Sequence, residues 1–392
     1  MKITEINKLR IGVIGCGMIS EVYMKNLREI WAGLELAACA DINMSAADKR
    51  AKQFAIRALS IPELLNDPNI DIILNLTAPA EHAAVSRSAL ECGKHVYSEK
   101  PFVTNMEQGL KLLDFAKEQN LLIGSAPDTF MGTGMQLGRK LLDEGKIGRS
   151  IAANAFMMSR GPEFMHPFPE SFYKKDVGPL MDWGPYYAAN LVNLFGPVRR
   201  VMGMGKATYA ERRVLKESSP LYGEAFAVEV PTYIAAILEF HSGEIANLVL
   251  TFDLGFPYWE SHLPFIRIEG SEGSLDLPDV NRFDGAVGIR ENGESEFSLI
   301  ESTPFYENCR GIGLADMALT LSGGEEFHNG KFRADSTFAL HTMEILFGVM
   351  ESINTGREYA MSTSCNRPDV ITESDRSALV SGGAIKNCWE IT

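Results

Sequence analysis

Arg10-Ile-Gly-Val-Ile-Gly-Cys-Gly-Met-Ile-Ser-Glu21 is an apolar run that ends in two closely spaced glycines and then turns amphipathic. Ile11, Val13 and Ile14 are β-branched and lie between a charged flank and a glycine-rich one, the pattern of a buried parallel strand. Gly15 and Gly17 fit the first two positions of Gly-x-Gly-x-x-Gly, where the chain turns tightly and a pyrophosphate can approach the backbone. Ser20 stands at the third position and is small enough for helix and strand to pack closely. From Met18 onward, Ile19, Val22, Tyr23, Leu27 and Ile30 recur at helical spacing. The free N–H groups and dipole of that helix N-terminus would hold the phosphates.

A second apolar run, 34–40, ends in Asp41. The spacing from the glycines is close to the ~20 residues expected of a ribose-binding acid. A carboxylate there accepts both adenosine ribose hydroxyls and repels a 2′-phosphate, which favours NAD over NADP. The plainer alternative is that Asp41 caps the following turn.

The chain has 392 residues, enough for two domains, expected at 1–127 and 128–392. With 45% hydrophobic and 22% charged residues it can bury a sizeable core. A net charge of −14 argues against nucleic acid or an anionic membrane as partner. Cys16, Cys39, Cys92, Cys309, Cys365 and Cys388 are scattered, as in a reduced cytoplasmic protein without a zinc site. The polar start and the lack of a long apolar run predict neither a signal peptide nor a membrane span.

Along the chain, helices are expected at 46–54, 61–68 and from His82, alternating with strands at 70–80, 93–102 and 121–125, and a further helix at 106–119. This alternation predicts a doubly wound parallel sheet. Ligands of such sheets gather at strand ends, which places Thr77, Pro79 and His82 on the cofactor rim; for His82 the alternative is an idle first-turn residue. Glu99-Lys100-Pro101 closes the next strand, and a lysine there points into the cleft. After Pro127-Asp128 come a helix at 135–143 and strands at 151–158, 198–205, 232–241, 244–254, 265–269, 273–277 and 296–300, with late helices near 313–321 and 338–354. Strands in succession without intervening helices predict an α+β domain with a mostly antiparallel sheet. The tail from Met361 gives no clear pattern.

Gly15-Cys-Gly-Met-Ile-Ser20, Asp41 after a strand, Asn75-Leu-Thr-Ala-Pro-Ala-Glu-His82 and Ser98-Glu-Lys-Pro101, in this order, resemble the glucose-fructose oxidoreductase and inositol dehydrogenase (Gfo/Idh/MocA) family. Stretches 126–130, 147–149, 178–198 and 310–317 extend the resemblance to about residue 360. It implies a Rossmann domain followed by an α/β domain with an open sheet, NAD(H) or NADP(H), a sugar or polyol substrate, and homo-oligomers (dimer, tetramer or higher) assembled through that sheet. Gly15, Gly17, Met18, Ile19, Asp41, Thr77, Pro79, His82, Glu99 and Lys100 are the expected cofactor contacts.

The family's substrate-binding lysine maps onto Lys100, and the aspartate of its Asp-x-Gly-x-His motif onto Asp182. The histidine of that motif falls on Tyr186, so the acid/base is reassigned in a branch reading Asp-x-Gly-Pro-Tyr-Tyr. Lys100, Tyr186, Asp182 and His166 are the candidate catalytic residues, with Lys100, Tyr186 and His166 as rival proton carriers. The bland alternative for Asp182 is a helix N-cap. Asp128, Arg160, Trp259, His262, Arg310 and Arg333 are weaker polar candidates. His341 and Glu344, one helical turn apart, lack a third ligand, and no metal is expected.

The resulting expectation is an NAD-dependent oxidoreductase acting on a secondary hydroxyl or keto group of a sugar, glycoside or cyclitol. Two alternatives are a redox-neutral enzyme that recycles a tightly bound cofactor and a non-catalytic NAD-responsive binding protein.

Overall fold

A computed structural model describes residues 8–257, 260, 263–302, 308–323 and 331–380. The opening stretch forms β1 (Leu9–Ile14), followed by α1 (Ser20–Glu29), β2 (Leu34–Ala40), α2 (Met44–Phe54), β3 (Arg57–Ala58), α3 (Ile61–Asn66) and β4 (Ile72–Asn75). The unit continues through α4 (His82–Glu91), β5 (His95–Ser98), α5 (Met106–Glu118) and β6 (Ile123–Ser125). Several helices begin where a polar side chain satisfies an otherwise orphaned N–H: Asn43 caps α2, Asn105 caps α5, and Ser60 with Glu63 closes a capping box on α3.

Among the described residues these strands form one parallel sheet in the order β3-β2-β1-β4-β5-β6. Both faces are covered by helices, so β1, β2 and β4 are buried in runs, Arg10 and Glu35 aside, rather than alternating. Strand order reverses between β1 and β4, and the crevice outside their C-terminal ends is where open α/β sheets bind ligands.

The second unit contains α6 (Thr133–Asp143), β7 (Ser150–Met158), α7 (Gly178–Phe195), β8 (Val198–Lys206), β9 (Glu211–Arg213), β10 (Ala225–Ala227), β11 (Tyr233–Phe240) and β12 (Ile245–Thr251). It goes on with β13 (Ile266–Gly270), β14 (Gly273–Leu277), β15 (Val287–Glu291) and β16 (Ser298–Ile300). Then follow α8 (Ile312–Gly323), α9 (Ser336–Thr355), β17 (Tyr359–Ala360) and α10 (Glu373–Leu379). The large sheet runs β16-β15-β14-β13-β7-β12-β11-β8-β17.

Its pairs are antiparallel with one exception among the described residues: β12 lies parallel to β7, Ile245 opposite Ala152 through Thr251 opposite Met158. A parallel neighbour needs a long crossover, and α7, β8 and β11 supply it. Burial alternates along β7 and β11, because α7 and α9 cover one face of the sheet and leave the other open. Gly184 permits the close approach of the two helices, since a Cβ there would sit 2.8 Å from Leu346.

The late helices return to the first sheet. Ser125 N donates to Ala334 O (3.1 Å), and Ala32 N donates to Leu379 O (2.9 Å). The tail from Met361, patternless in sequence, contains α10, started by a Thr372–Asp375 capping box.

Candidate active site

The turn after β1 is shaped by what a side chain would strike. Gly15 has φ +103°, and a Cβ there would lie 2.4 Å from the carbonyl oxygen of Leu76, so only glycine lets β1 and β4 close at this point. A Cβ on Gly17 would meet nothing within 4 Å, which leaves open space for a ligand against the backbone.

Ser20, at the third position of the glycine pattern, does more than stay small. Its hydroxyl donates to Gly17 O (2.7 Å) and accepts from Arg50 Nε (3.1 Å). Arg50 also donates through Nη2 to Gly17 O (3.2 Å) and pairs with Glu21 (2.7 Å). Arg50 therefore braces the turn from α2. No side chain caps α1, so its first N–H groups are left for a ligand.

Asp41 holds the other wall of the crevice. Its Oδ2 accepts from Cys16 N (2.7 Å) and its Oδ1 from Asn43 N (2.8 Å). The carboxylate is thus oriented at the rim while retaining free acceptor capacity, with Met18 and Ile42 exposed nearby in sequence. An open cradle at Gly17, an uncapped helix end and a fixed acid fit a dinucleotide.

Along the rim, Thr77 and Pro79 follow β4, and Thr77 donates through Oγ1 to Asn75 Oδ1 (2.7 Å). His82 departs from expectation. It is 1% exposed, and its Nδ1 and Nε2 face the carbonyl oxygens of Pro101 (2.7 Å) and Thr77 (2.9 Å). Through these contacts His82 ties the β4 and β5 loop ends together.

At the end of β5, Lys100 reaches across to α7. Its Nζ donates to Asp182 O (3.0 Å) and Asp182 Oδ1 (3.2 Å), and lies 5.3 Å from the centroid of the Tyr186 ring. Asp182 is not an N-cap: α7 begins at Gly178, with Pro179 in its first turn, and Asp182 lies inside it. Pro185 inside the helix has no N–H, so the carbonyl of Met181, next to Asp182, lacks its i+4 partner.

Burial of Lys100 opposes its charge, but Tyr186, Asp182 and Glu99 together hold its ammonium above the ordinary lysine range. Its ammonium donates to Asp182 and carries positive charge into the site. Burial pushes the Tyr186 phenol up, while Lys100 and Arg310 pull it back.

Glu99 joins this cluster to the nucleotide turn. Its Oε1 accepts from Tyr23 OH (2.9 Å) on α1, and its Oε2 accepts from Lys100 N (2.8 Å). Asp128 Oδ2 accepts from Tyr97 OH (3.2 Å), Gly311 N (3.2 Å) and Gly313 N (3.0 Å). Arg310, a weak candidate by sequence, acts electrostatically on Tyr186, Glu99, Tyr23 and Asp128. Arg50 carries no local motif that singles it out.

His166 stands apart from this cluster. Its Nδ1 accepts from Phe168 N (3.1 Å) and its ring packs edge-on against Phe172 at 4.9 Å, both contacts within its own loop. Arg333 is a buried brace between Asp316 (2.6 Å) and Asp375 (2.7 Å). His341 accepts from Val198 N (2.9 Å), and Glu344 receives Ser362 N and Thr363 N (both 2.7 Å), so this pair secures the segment after α9. Among the described residues no group of three or more His, Cys, Asp or Glu could hold a metal. Trp259 and His262 lie outside the described residues.

Residues 9–126 match a family model described as an oxidoreductase family with an NAD-binding Rossmann fold, and residues 135–276 match the GFO/IDH/MocA C-terminal domain. The chain belongs to the Gfo/Idh/MocA family.

Among Gfo/Idh/MocA relatives, an inositol 2-dehydrogenase/D-chiro-inositol 3-dehydrogenase of Lacticaseibacillus casei is 27% identical over 38% of this chain; the match spans 44% of that enzyme, less than half its length. A dTDP-3,4-didehydro-2,6-dideoxy-alpha-D-glucose 3-reductase of Streptomyces violaceoruber is 26% identical over 72% of this chain and 84% of its own. The fold is shared with the WlbA dehydrogenase of Bordetella pertussis, solved with NADH and UDP-GlcNAcA (TM-score 0.72, 21% identity, 91% of this chain and 99% of that one). An NAD-binding oxidoreductase from Klebsiella pneumoniae shares it equally (TM-score 0.74, 18% identity, 91% and 100% covered).

Proposed function

We propose that the protein is an NAD-dependent oxidoreductase acting reversibly on a secondary hydroxyl or keto group of a sugar, glycoside or cyclitol. The observation that carries this reading is Lys100, gripped by Asp182 and set 5.3 Å from the Tyr186 ring at the strand end beside the nucleotide turn. The sugar-like substrates named for the inositol dehydrogenase and the dTDP-sugar reductase support the substrate class.

Gly15, Gly17, the α1 N-terminus and Asp41 would hold the dinucleotide. When bound, it accepts a hydride from a carbinol carbon or returns one to a carbonyl carbon. The remaining task falls to the chain: a proton must leave or reach the substrate oxygen, and the charge on that oxygen must be stabilised. Lys100 supplies the stabilising donor, because its ammonium persists and still has hydrogens beyond those given to Asp182. Tyr186 carries the proton. Asp182 orients Lys100.

The test is a panel of sugars, glycosides and inositols scored by nicotinamide absorbance, with Lys100→Met, Tyr186→Phe and His166→Ala alongside. Lys100→Met is expected to lower turnover by about 10²–10³-fold, the cost of removing one charge-stabilising donor, with NAD affinity largely kept. Tyr186→Phe is expected to fall comparably, and His166→Ala to stay near native. A fully active Lys100→Met would overturn the assignment. Retained cofactor and an altered sugar without net NADH would identify the redox-neutral enzyme instead.

A further inference from the structure

The third position of a Gly-x-Gly-x-x-Gly turn serves close packing of helix on strand, which any small residue allows. Here the position carries a hydroxyl that is put to use. Ser20 is 0% exposed, and its Oγ donates to Gly17 O (2.7 Å) while accepting from Arg50 Nε (3.1 Å). Arg50 Nη2 donates to the same Gly17 carbonyl (3.2 Å). Two donors therefore hold one carbonyl oxygen, and one of them steadies the other.

The guanidinium is itself fixed from α1 and α2. Its Nη1 donates to Glu21 Oε2 and to Gln53 Oε1 (both 2.7 Å), and Gln53 Nε2 donates to Glu21 Oε1 (2.8 Å). All three guanidinium nitrogens are engaged at once, in a planar fork whose directions are set. A lysine ammonium at this place brings the charge without those directions.

What the fork fixes is the next peptide bond. Among the described residues the cis peptide bonds precede Pro101 and Pro127, so the Gly17–Met18 bond is trans. In a trans peptide the carbonyl and the following N–H point opposite ways. The Gly17 carbonyl points at a buried pair, and the Met18 N–H is thereby turned away from it, on a stretch where Gly17 and Met18 are both exposed. A Cβ on Gly17 would meet nothing within 4 Å, so the space there is open. Asp41 Oδ2 takes the preceding N–H, that of Cys16 (2.7 Å), and the turn is held from both walls.

We propose that Ser20 and Arg50 act together as positioning residues for the dinucleotide: by gripping the Gly17 carbonyl they aim the Met18 N–H at its pyrophosphate. This rests on the reading of the turn as the dinucleotide cradle. Both side chains are buried and act through the peptide, without contact to the phosphates. A hydrogen bond weakens steeply as its angle closes, so a peptide free to rotate holds an anion less well than one already aimed. The adenosine end, read by Asp41, is indifferent to that rotation.

The test uses full-length protein and two probes: ADP-ribose, which carries the pyrophosphate, and adenosine, which lacks it. Calorimetry measures the first and NMR shift titration the second. Arg50→Leu is expected to weaken ADP-ribose about tenfold, the worth of one charge-assisted hydrogen bond, and adenosine less than about twofold. Ser20→Ala, a smaller change, covers the case in which Arg50→Leu does not fold, and is expected to weaken ADP-ribose about three- to tenfold. Because both residues hold one carbonyl, the double variant should bind hardly worse than Arg50→Leu alone. Arg50→Lys should stay about threefold or more below native affinity, since it lacks the fork. In 15N-methionine-labelled protein the Met18 amide, identified by its loss in Met18→Leu, should shift on adding ADP-ribose to the native protein and shift much less in Arg50→Leu and Ser20→Ala.

Native ADP-ribose affinity in the folded variants overturns the proposal, as does an equal weakening of ADP-ribose and adenosine, which would mark a general loosening of the fold. Full recovery by Arg50→Lys also overturns it, leaving charge alone as the cause. A native protein that does not bind ADP-ribose would instead remove the dinucleotide reading itself.

Discussion

Tyr23, on the helix that begins at the nucleotide turn, donates its hydroxyl hydrogen to Glu99 Oε1 across 2.9 Å, and the other Glu99 oxygen holds the backbone N–H of Lys100. The turn after β1 and the strand end that carries Lys100 are therefore joined through two side chains. Tyr23 is 1% exposed, so its hydroxyl has no ready replacement from solvent. Tyr23→Phe leaves a partly buried carboxylate oxygen without its donor, which should cost about 1–3 kcal/mol of stability. Because Glu99 also fixes Lys100, kcat should fall as well. Urea unfolding and steady-state kinetics check both, and a variant unchanged in both would show that the link carries no load.

Asp41 makes two backbone contacts and keeps acceptor capacity toward the crevice. Asp41→Ala removes the ribose acceptor and the charge that repels a 2′-phosphate. NAD affinity is expected to fall by about tenfold or more, the cost of one or two charged hydrogen bonds. NADP affinity should fall less or rise, so the NAD/NADP preference narrows. Fluorescence titration with both reduced dinucleotides measures it. An unchanged ratio would place the specificity elsewhere.

Much of this arrangement was legible in sequence because α/β sheets put their chemistry at strand ends, where short motifs survive as contiguous residues. Gly15, Asp41, Thr77 and Lys100 are all of this kind. That the His82 ring faces the Pro101 and Thr77 carbonyls only the fold shows. Gly178-Pro-Leu-Met-Asp182 reads as a helix approach capped by an acid, whereas α7 starts at Gly178 and keeps Pro185 inside. The β7–β12 pairing is parallel because a crossover separates the strands, which alternation alone cannot reveal. Arg50 was beyond reach for another reason: it acts on a turn 33 residues away.

Asp128 offers a pH test. Burial is the main effect on its carboxyl, raising it from 3.8 to about 6 despite the Gly313 N–H and Arg310, which favour the anion. A group whose folded value lies above its unfolded value binds more protons in the native state across the interval between them, so its contribution to stability is complete below that interval and is lost as pH rises through it. The protein should therefore lose about 2–3 kcal/mol from this group between roughly pH 4 and pH 6.5, at about 1.4 kcal/mol per unit. Asp128→Asn can still accept the Gly311 and Gly313 N–H groups but has no proton to release. The native-minus-variant stability difference, measured by urea unfolding at several pH values, should fall across that window and stay level above it; a difference flat from pH 4 to 7 would refute the shift.

The open face of the large sheet carries the last prediction. Cross-strand register puts Met202 opposite Ile237, and Ile237 opposite Asn247. One step along, Met204 faces Ala235, which faces Val249. Met202, Met204 and Ile237 are 49%, 77% and 50% exposed, a contiguous apolar area on a face that no helix among the described residues covers. Isolated exposed methionines need no explanation, but neighbouring ones across a sheet mark a surface suited to burial. We infer that a second copy of the same chain covers it, each apolar side chain gaining about 1.5–3 kcal/mol when fully buried. The native protein is expected to run as a dimer or larger assembly by light scattering at micromolar concentration. Met204→Glu and Ile237→Glu place like charges face to face across such an interface and should shift it toward monomer, with the nucleotide crevice unaffected in dinucleotide titrations. A native protein that is monomeric throughout would exclude this face as a self-association surface.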